Sequence, residues 1–149
     1  ELLQPWNCTL LANDILDFPD FYAHYGVTPV GLEELLQRSD VVTLHVPLDE
    51  STRNMLSATR LALMKPSAIL INAARGGLVD EAALKAMLVT KRLAGAAFDV
   101  FAVEPPQDQE LLALPNFLVS PHIGGSAEEA TLAMGRAAID GLDINEIPK

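Results

Sequence analysis

The chain has 149 residues, the length of one domain, and 50% of them are hydrophobic, a globular composition and not a disordered one. Twenty acidic against ten basic residues give a formal net charge of −10, with no run of Lys or Arg, which argues against nucleic-acid and anionic-membrane partners. No basic, then apolar leader opens the chain, and no apolar run approaches the roughly 18 residues of a membrane span, so a soluble, cytoplasmic protein is expected.

Residues 1–4 read as the last turn of a helix that Pro5 stops, so residue 1 does not look like a natural start. Cys8, the single cysteine, excludes an intrachain disulfide and reads as a small hydrophobe buried on a strand rather than a reactive thiol. A short strand over 9–12 ends at Asn13-Asp14. An acid there is either a turn residue or the group that accepts ribose hydroxyls at the end of a dinucleotide-binding strand. Phe18, Phe21, Tyr22 and Tyr25 gather around Pro19; with no basic neighbours they are expected to pack against the sheet and not to stack on bases.

Residues 27–30 form an edge-like strand, where Pro29 is tolerated, and 31–38 a two-turn helix carrying Leu32, Leu35 and Leu36. The β-branched run 40–47 is the next strand. Ser57 caps a helix with Leu61 and Met64 on its apolar face, ended at Lys65-Pro66. The continuous apolar run 68–73 predicts a strand buried on both faces. Asp80 caps a helix over 81–90, with Leu84, Met87 and Leu88 inward and Glu81 at its positive dipole end. A small-residue strand over 94–98 and a last strand over 117–119 follow. Ser126-Ala127-Glu128-Glu129 is a capping box opening an Ala-rich helix to about residue 142.

Strands alternating with helices predict an α/β fold with a parallel sheet covered on both faces, in one domain over 1–149. A dinucleotide fold also needs a first strand and a Gly-x-Gly-x-x-Gly turn, and neither Gly76-Gly77 nor Gly124-Gly125 has that spacing. The expectation is therefore a Rossmann-type doubly wound sheet without its first strand, which would lie between the strands at 9 and 40. Two open edges left by such a gap invite pairing with another chain.

The strand at 68–73 ends in Asn72 and Arg75, the one at 94–98 is followed by Asp99 and Glu104, and the last one by His122. Strand C-termini are where open α/β sheets bind ligands. A histidine exchanges a proton with a hydroxyl or carbonyl, a glutamate fixes its tautomer, and an arginine clamps a carboxylate. Together they suit hydride transfer at a 2-hydroxy acid with a nicotinamide cofactor. Each alone also has an ordinary explanation: Arg75 as a surface residue at a helix start, Glu104 as a solvated loop acid, His122 as a packed loop histidine.

Several stretches resemble the D-isomer-specific 2-hydroxyacid dehydrogenase family, with its phosphoglycerate dehydrogenase-like and hydroxypyruvate reductase-like members. They are Ser39-Asp40-Val41-Val42-Thr43-Leu44-His45-Val46-Pro47-Leu48, Leu63-Met64-Lys65-Pro66, Ile71-Asn72-Ala73-Ala74-Arg75-Gly76-Gly77-Leu78-Val79-Asp80, Phe98-Asp99-Val100-Phe101 with Glu104-Pro105, and Pro121-His122-Ile123-Gly124-Gly125. The resemblance implies an NAD-dependent oxidoreductase acting on a small D-2-hydroxy acid or 2-oxo acid. It implies His122 as acid/base, Glu104 as its partner and Arg75 as the substrate-carboxylate clamp. It further implies a cofactor cleft formed by Asp14, His45, Val46, Pro47, Thr52, Asn72, Ala73, Ala74, Arg75, Asp99, His122, Gly124 and Gly125. Asp14 would favour NAD over NADP, and Asp99 would meet the nicotinamide carboxamide. Glu104 stands where formate dehydrogenase-type members carry Gln.

The family's substrate (lid) domain is expected to be absent from this chain, which alone would then be inactive. A homo-oligomer, a dimer, is the expected assembly; no metal site is assigned. The alternatives are an NAD(H)-binding, corepressor-like regulatory module and an inactive fragment of the dehydrogenase.

Overall fold

A computed structural model describes residues 3–144, along which strands and helices alternate. After a single 3-10 turn over Gln4–Trp6 come β1 (Leu10–Ala12), α1 (Pro19–Tyr25), β2 (Val27–Pro29), α2 (Leu32–Arg38), β3 (Val41–Leu44) and α3 (Ala58–Leu61). Then follow β4 (Ile69–Asn72), α4 (Glu81–Val89), β5 (Gly95–Phe98), α5 (Gln109–Leu112), β6 (Phe117–Val119) and α6 (Glu128–Ile144). All strand pairings are parallel: β1 with β2, and β3-β4-β5-β6 in a separate four-stranded sheet. β1 and β3, expected to flank an absent strand, do not pair with each other.

Register sets up the site. Leu44, Asn72, Phe98 and Val119 form one row across the four strands, so the four loops that follow leave from one rim of the sheet. The row beneath it on the same face is Val42, Leu70, Ala96 and Phe117, all buried. Onto this face pack Leu36 of α2, Leu61 of α3, Leu84 and Leu88 of α4 and Leu111 of α5, forming a single core.

The opposite face is more open: Val41 is 54%, Ile69 42% and Leu118 72% exposed. The strand at 68–73, expected to be buried on both faces, is therefore corrected to one buried on one face and partly exposed on the other. Period-2 alternation in β3 and β4 sends every second residue to the more open side, and α6 contributes no residue to the core cluster.

Three local expectations also change. Cys8 is exposed and precedes β1, so it is not a buried strand residue. Residues 1–2 of the expected helical turn lie outside the described residues, and Pro5 sits inside the 3-10 turn instead of after it. Pro19 starts helix α1, whose period turns Tyr22 inward and leaves Phe18 and Phe21 exposed; the aromatics do not all pack on the sheet.

Two of the expected caps form. Ser57 accepts the Arg60 amide at 3.5 Å and Asp80 the Ala83 amide at 3.0 Å. The short helix α5 was not expected. It is made by Asp108, which accepts the amides of Glu110 and Leu111, and its four residues are too few to show a helical period. α6 begins at Glu128, slightly inside the capping box.

In this 149-residue chain Leu70→Ala should cost about 2–5 kcal/mol, the range for deleting a buried leucine, against less than about 1 kcal/mol for Ile69→Ala. Urea unfolding of both variants checks this, and equal losses would contradict a core confined to one face.

Candidate active site

The loops leaving the common rim are braced before they present any reactive group. After β4 the chain turns sharply, and the buried Asn72 carboxamide holds the turn, donating to the Arg75 carbonyl at 3.0 Å and accepting the Ala74 amide at 3.2 Å. Gly76 then passes against the next loop so closely that a Cβ there would collide with the Phe101 carbonyl. Glu81, at the start of α4, accepts the Ala102 amide of that same loop at 2.8 Å. Arg75 and the Phe101–Glu104 segment are thus fixed to each other through their backbones.

Glu104 and His122 meet. Glu104 Oε1 accepts the Phe101 amide at 3.0 Å, and Oε2 lies 2.7 Å from His122 Nδ1. The hydrogen bond from His122, and after it the Phe101 amide, hold the Glu104 carboxyl below its ordinary value. A carboxylate only accepts, so Nδ1 carries the proton and Nε2 is left to exchange one. Beside the pair opens a cavity of about 460 Å³ whose walls include Phe101, Pro106, Leu112 and Val119.

Asp99, 9% exposed, stands behind this loop. It accepts the Ser120 hydroxyl at 2.6 Å and the Ile123 amide at 2.9 Å through Oδ1, and the Gly124 amide at 2.8 Å through Oδ2. The Ser120 hydroxyl, followed by the Gly124 and Ile123 amides, depresses its carboxyl against the opposing effect of burial.

The other expected residues lie apart from the pair. The Arg75 side chain is exposed and bonds back to the Ala74 carbonyl at 2.6 Å, so it does not join Glu104 and His122. Asn72 is buried and braces its own turn; it does not line an open cleft, because both ends of its carboxamide are engaged by the backbone. Thr52 is likewise structural, donating to the Pro47 carbonyl and accepting the Asp49 amide, each at 2.8 Å, which closes the loop after His45, Val46 and Pro47. His45 Nε2 lies 3.1 Å from Thr43 Oγ1. Ala73 and Gly125 are exposed and Ala74 half-buried. Asp14, at the end of β1, accepts the Leu16 amide at 2.9 Å through Oδ1, and its Oδ2 has no hydrogen bond among the described residues.

Ser120 escaped the sequence analysis. Its signal was positional: Phe98 pairs with Val119, so Ser120 lands beside Asp99 once β5 and β6 align. Among the described residues no group of three or more His, Cys, Asp or Glu is placed to hold a metal, and no helix is long and apolar enough to cross a membrane.

A paired histidine and glutamate at the rim of a parallel sheet is a dehydrogenase-like arrangement, and comparison with known proteins bears on it directly. The model of the D-isomer specific 2-hydroxyacid dehydrogenase, NAD binding domain, matches residues 1–124. The chain belongs to this family. It is 50% identical over 117 residues to a glycerate dehydrogenase of Methylorubrum extorquens, covering 76% of this chain and 37% of that protein. Identity to the D-3-phosphoglycerate dehydrogenase of Escherichia coli K12 is 44% over 138 residues, or 85% of this chain and 34% of that one. A solved D-lactate dehydrogenase from Sporolactobacillus superposes with a TM-score of 0.83 at 42% identity, over 93% of this chain and 46% of that one. The chain thus spans less than half the length of these relatives.

The depressed Glu104 carboxyl fixes the sign of a pH effect. A carboxyl whose folded value is lowered contributes stability above its ordinary value and loses it as pH falls through the folded value. The Glu104–His122 bond should therefore survive acidification through the ordinary glutamate range, followed by the ¹³C shift of the Glu104 carboxyl. A midpoint at the ordinary value would contradict the pairing.

Proposed function

We propose that the protein carrying this chain is an NAD-dependent dehydrogenase that interconverts a small D-2-hydroxy acid and its 2-oxo acid, with His122 as the acid/base. The observation that carries this reading is the 2.7 Å contact between His122 Nδ1 and Glu104, which leaves Nε2 without a hydrogen bond among the described residues. In the oxidative direction Nε2 takes the hydroxyl proton while the carbinol hydrogen departs as hydride. The imidazolium so formed is stabilised by Glu104, already ionised and bonded to it. On reduction the same proton returns to the carbonyl oxygen.

Bound NAD supplies the hydride acceptor. The donor set fits such a group: Asp14 offers an open carboxylate oxygen for ribose hydroxyls, and Asp99 Oδ2 holds only one amide. Gly124 belongs to the same cleft. On this reading His45, Val46, Pro47, Ala73, Ala74 and Gly125 form the cleft wall, and Arg75 leaves the Ala74 carbonyl to fork onto the substrate carboxylate. Asn72 and Thr52 support that wall from behind. The acidic surface argues against nucleic-acid and anionic-membrane partners and leaves the small acid as the partner; a cytoplasmic homodimer is part of the same reading.

In the full-length protein His122→Ala should lower kcat by roughly 10²–10⁴, the range for losing a general acid/base, while NADH affinity stays near that of the parent. Equal loss of turnover and NADH binding would overturn the assignment. Asp14→Ala should relax discrimination against NADP, since a 2′-phosphate would no longer meet a negative charge. An unchanged ratio of kcat/KM values for NAD and NADP would reduce Asp14 to a turn residue.

A further inference from the structure

His122 has a left-handed backbone, φ 53°, an arrangement that costs energy in a residue with a side chain and persists only where its surroundings impose it. The imposing group is Asp99. One carboxylate takes the amides of both residues that follow His122, Ile123 at 2.9 Å and Gly124 at 2.8 Å, as well as the hydroxyl of Ser120 two residues before it, at 2.6 Å. His122 thus sits on an arch whose two feet rest on one side chain. The arch tolerates no bulk at its far foot: a Cβ on Gly124 would lie 2.9 Å from Asp99 Oδ2.

We propose that Ser120 is a positioning residue for His122, its hydroxyl holding the Asp99 carboxylate in the one orientation that grips the Ile123 and Gly124 amides and so aims the imidazole. The inference rests on His122 being the acid/base of the reading above. Ser120 acts only through Asp99. Without the hydroxyl, Oδ1 keeps a single amide, the carboxylate gains freedom to rotate, and the left-handed turn loses its near foot. Ionisation is coupled to the same contact, because three donors converge on one carboxylate and the hydroxyl contributes the largest share to holding it charged. The sign follows from that depression. The grip is present above the ordinary aspartate value and is lost as pH falls through the folded one, so removing Ser120 moves the loss to higher pH.

The test compares Ser120→Ala with Ser120→Thr, which keeps the hydroxyl, in the full-length protein. Ser120→Ala should lower kcat about five- to tenfold, within the net effect of losing one ordinary hydrogen bond. The acid limb of its kcat–pH profile should move upward, and the Ile123 and Gly124 amides should exchange faster with solvent. A role confined to stability would not move the acid limb. Ser120→Thr should match the parent in all three. An unchanged kcat or acid limb in Ser120→Ala, unchanged amide exchange, or the same defects in Ser120→Thr would each overturn the proposal. If Ser120→Ala is silent while His122→Ala abolishes turnover, the positioning role falls and the dehydrogenase reading stands. If His122→Ala turns over normally, it is that reading which fails.

Discussion

Glu104 reaches across two loops, accepting the Phe101 amide at 3.0 Å through one oxygen and His122 at 2.7 Å through the other. This contact occupies one ring nitrogen of His122 and leaves Nε2 without a hydrogen bond among the described residues, and it is held in place because both loops are pinned. The Phe101 loop is pinned from one side by the Glu81 carboxylate and from the other by the backbone of Gly76, which leaves no room for a side chain. The His122 loop is pinned by Asp99. The placement of one imidazole thus depends on two carboxylates that bind backbone amides.

Two kinds of force divide the work. The sheet is held by burial: leucines from α2, α3, α4 and α5 close over Val42, Leu70, Ala96 and Phe117, a non-directional attraction proportional to apolar area. The rim is held by directed hydrogen bonds to backbone, through Asn72, Thr52, Asp99 and Glu104. Burial brings four strand ends into one row; hydrogen bonds decide which way each loop turns after it. The more open face, with Val41, Ile69 and Leu118 exposed, belongs to neither system.

Much of the architecture was legible because strands and helices here have distinct periods. The apolar run at 68–73, the caps at Ser57 and Asp80 and the β-branched run at 40–47 all became the expected elements, each within a residue or a few of its expected bounds. What was not legible involves partners distant in sequence. No local pattern says that Val41 and Ile69 stay exposed, that four residues after Asp108 make a helix, or that Cys8 falls outside β1.

The candidate site divides in the same way. Residue types at strand ends were enough to select Glu104, His122 and Arg75, because proton exchange and carboxylate binding each demand a few side chains and those lie in recognisable stretches. Family membership, too, is written in the order and spacing of those stretches. Tertiary structure alone decided that Glu104 and His122 touch while the Arg75 guanidinium turns back to Ala74, that Asn72 braces instead of lining a cleft, and that Ser120 stands beside Asp99. The physical reason is that a hydrogen bond needs distance and direction, and across 18 or 21 residues of chain both are set by strand register, which no stretch of sequence contains by itself.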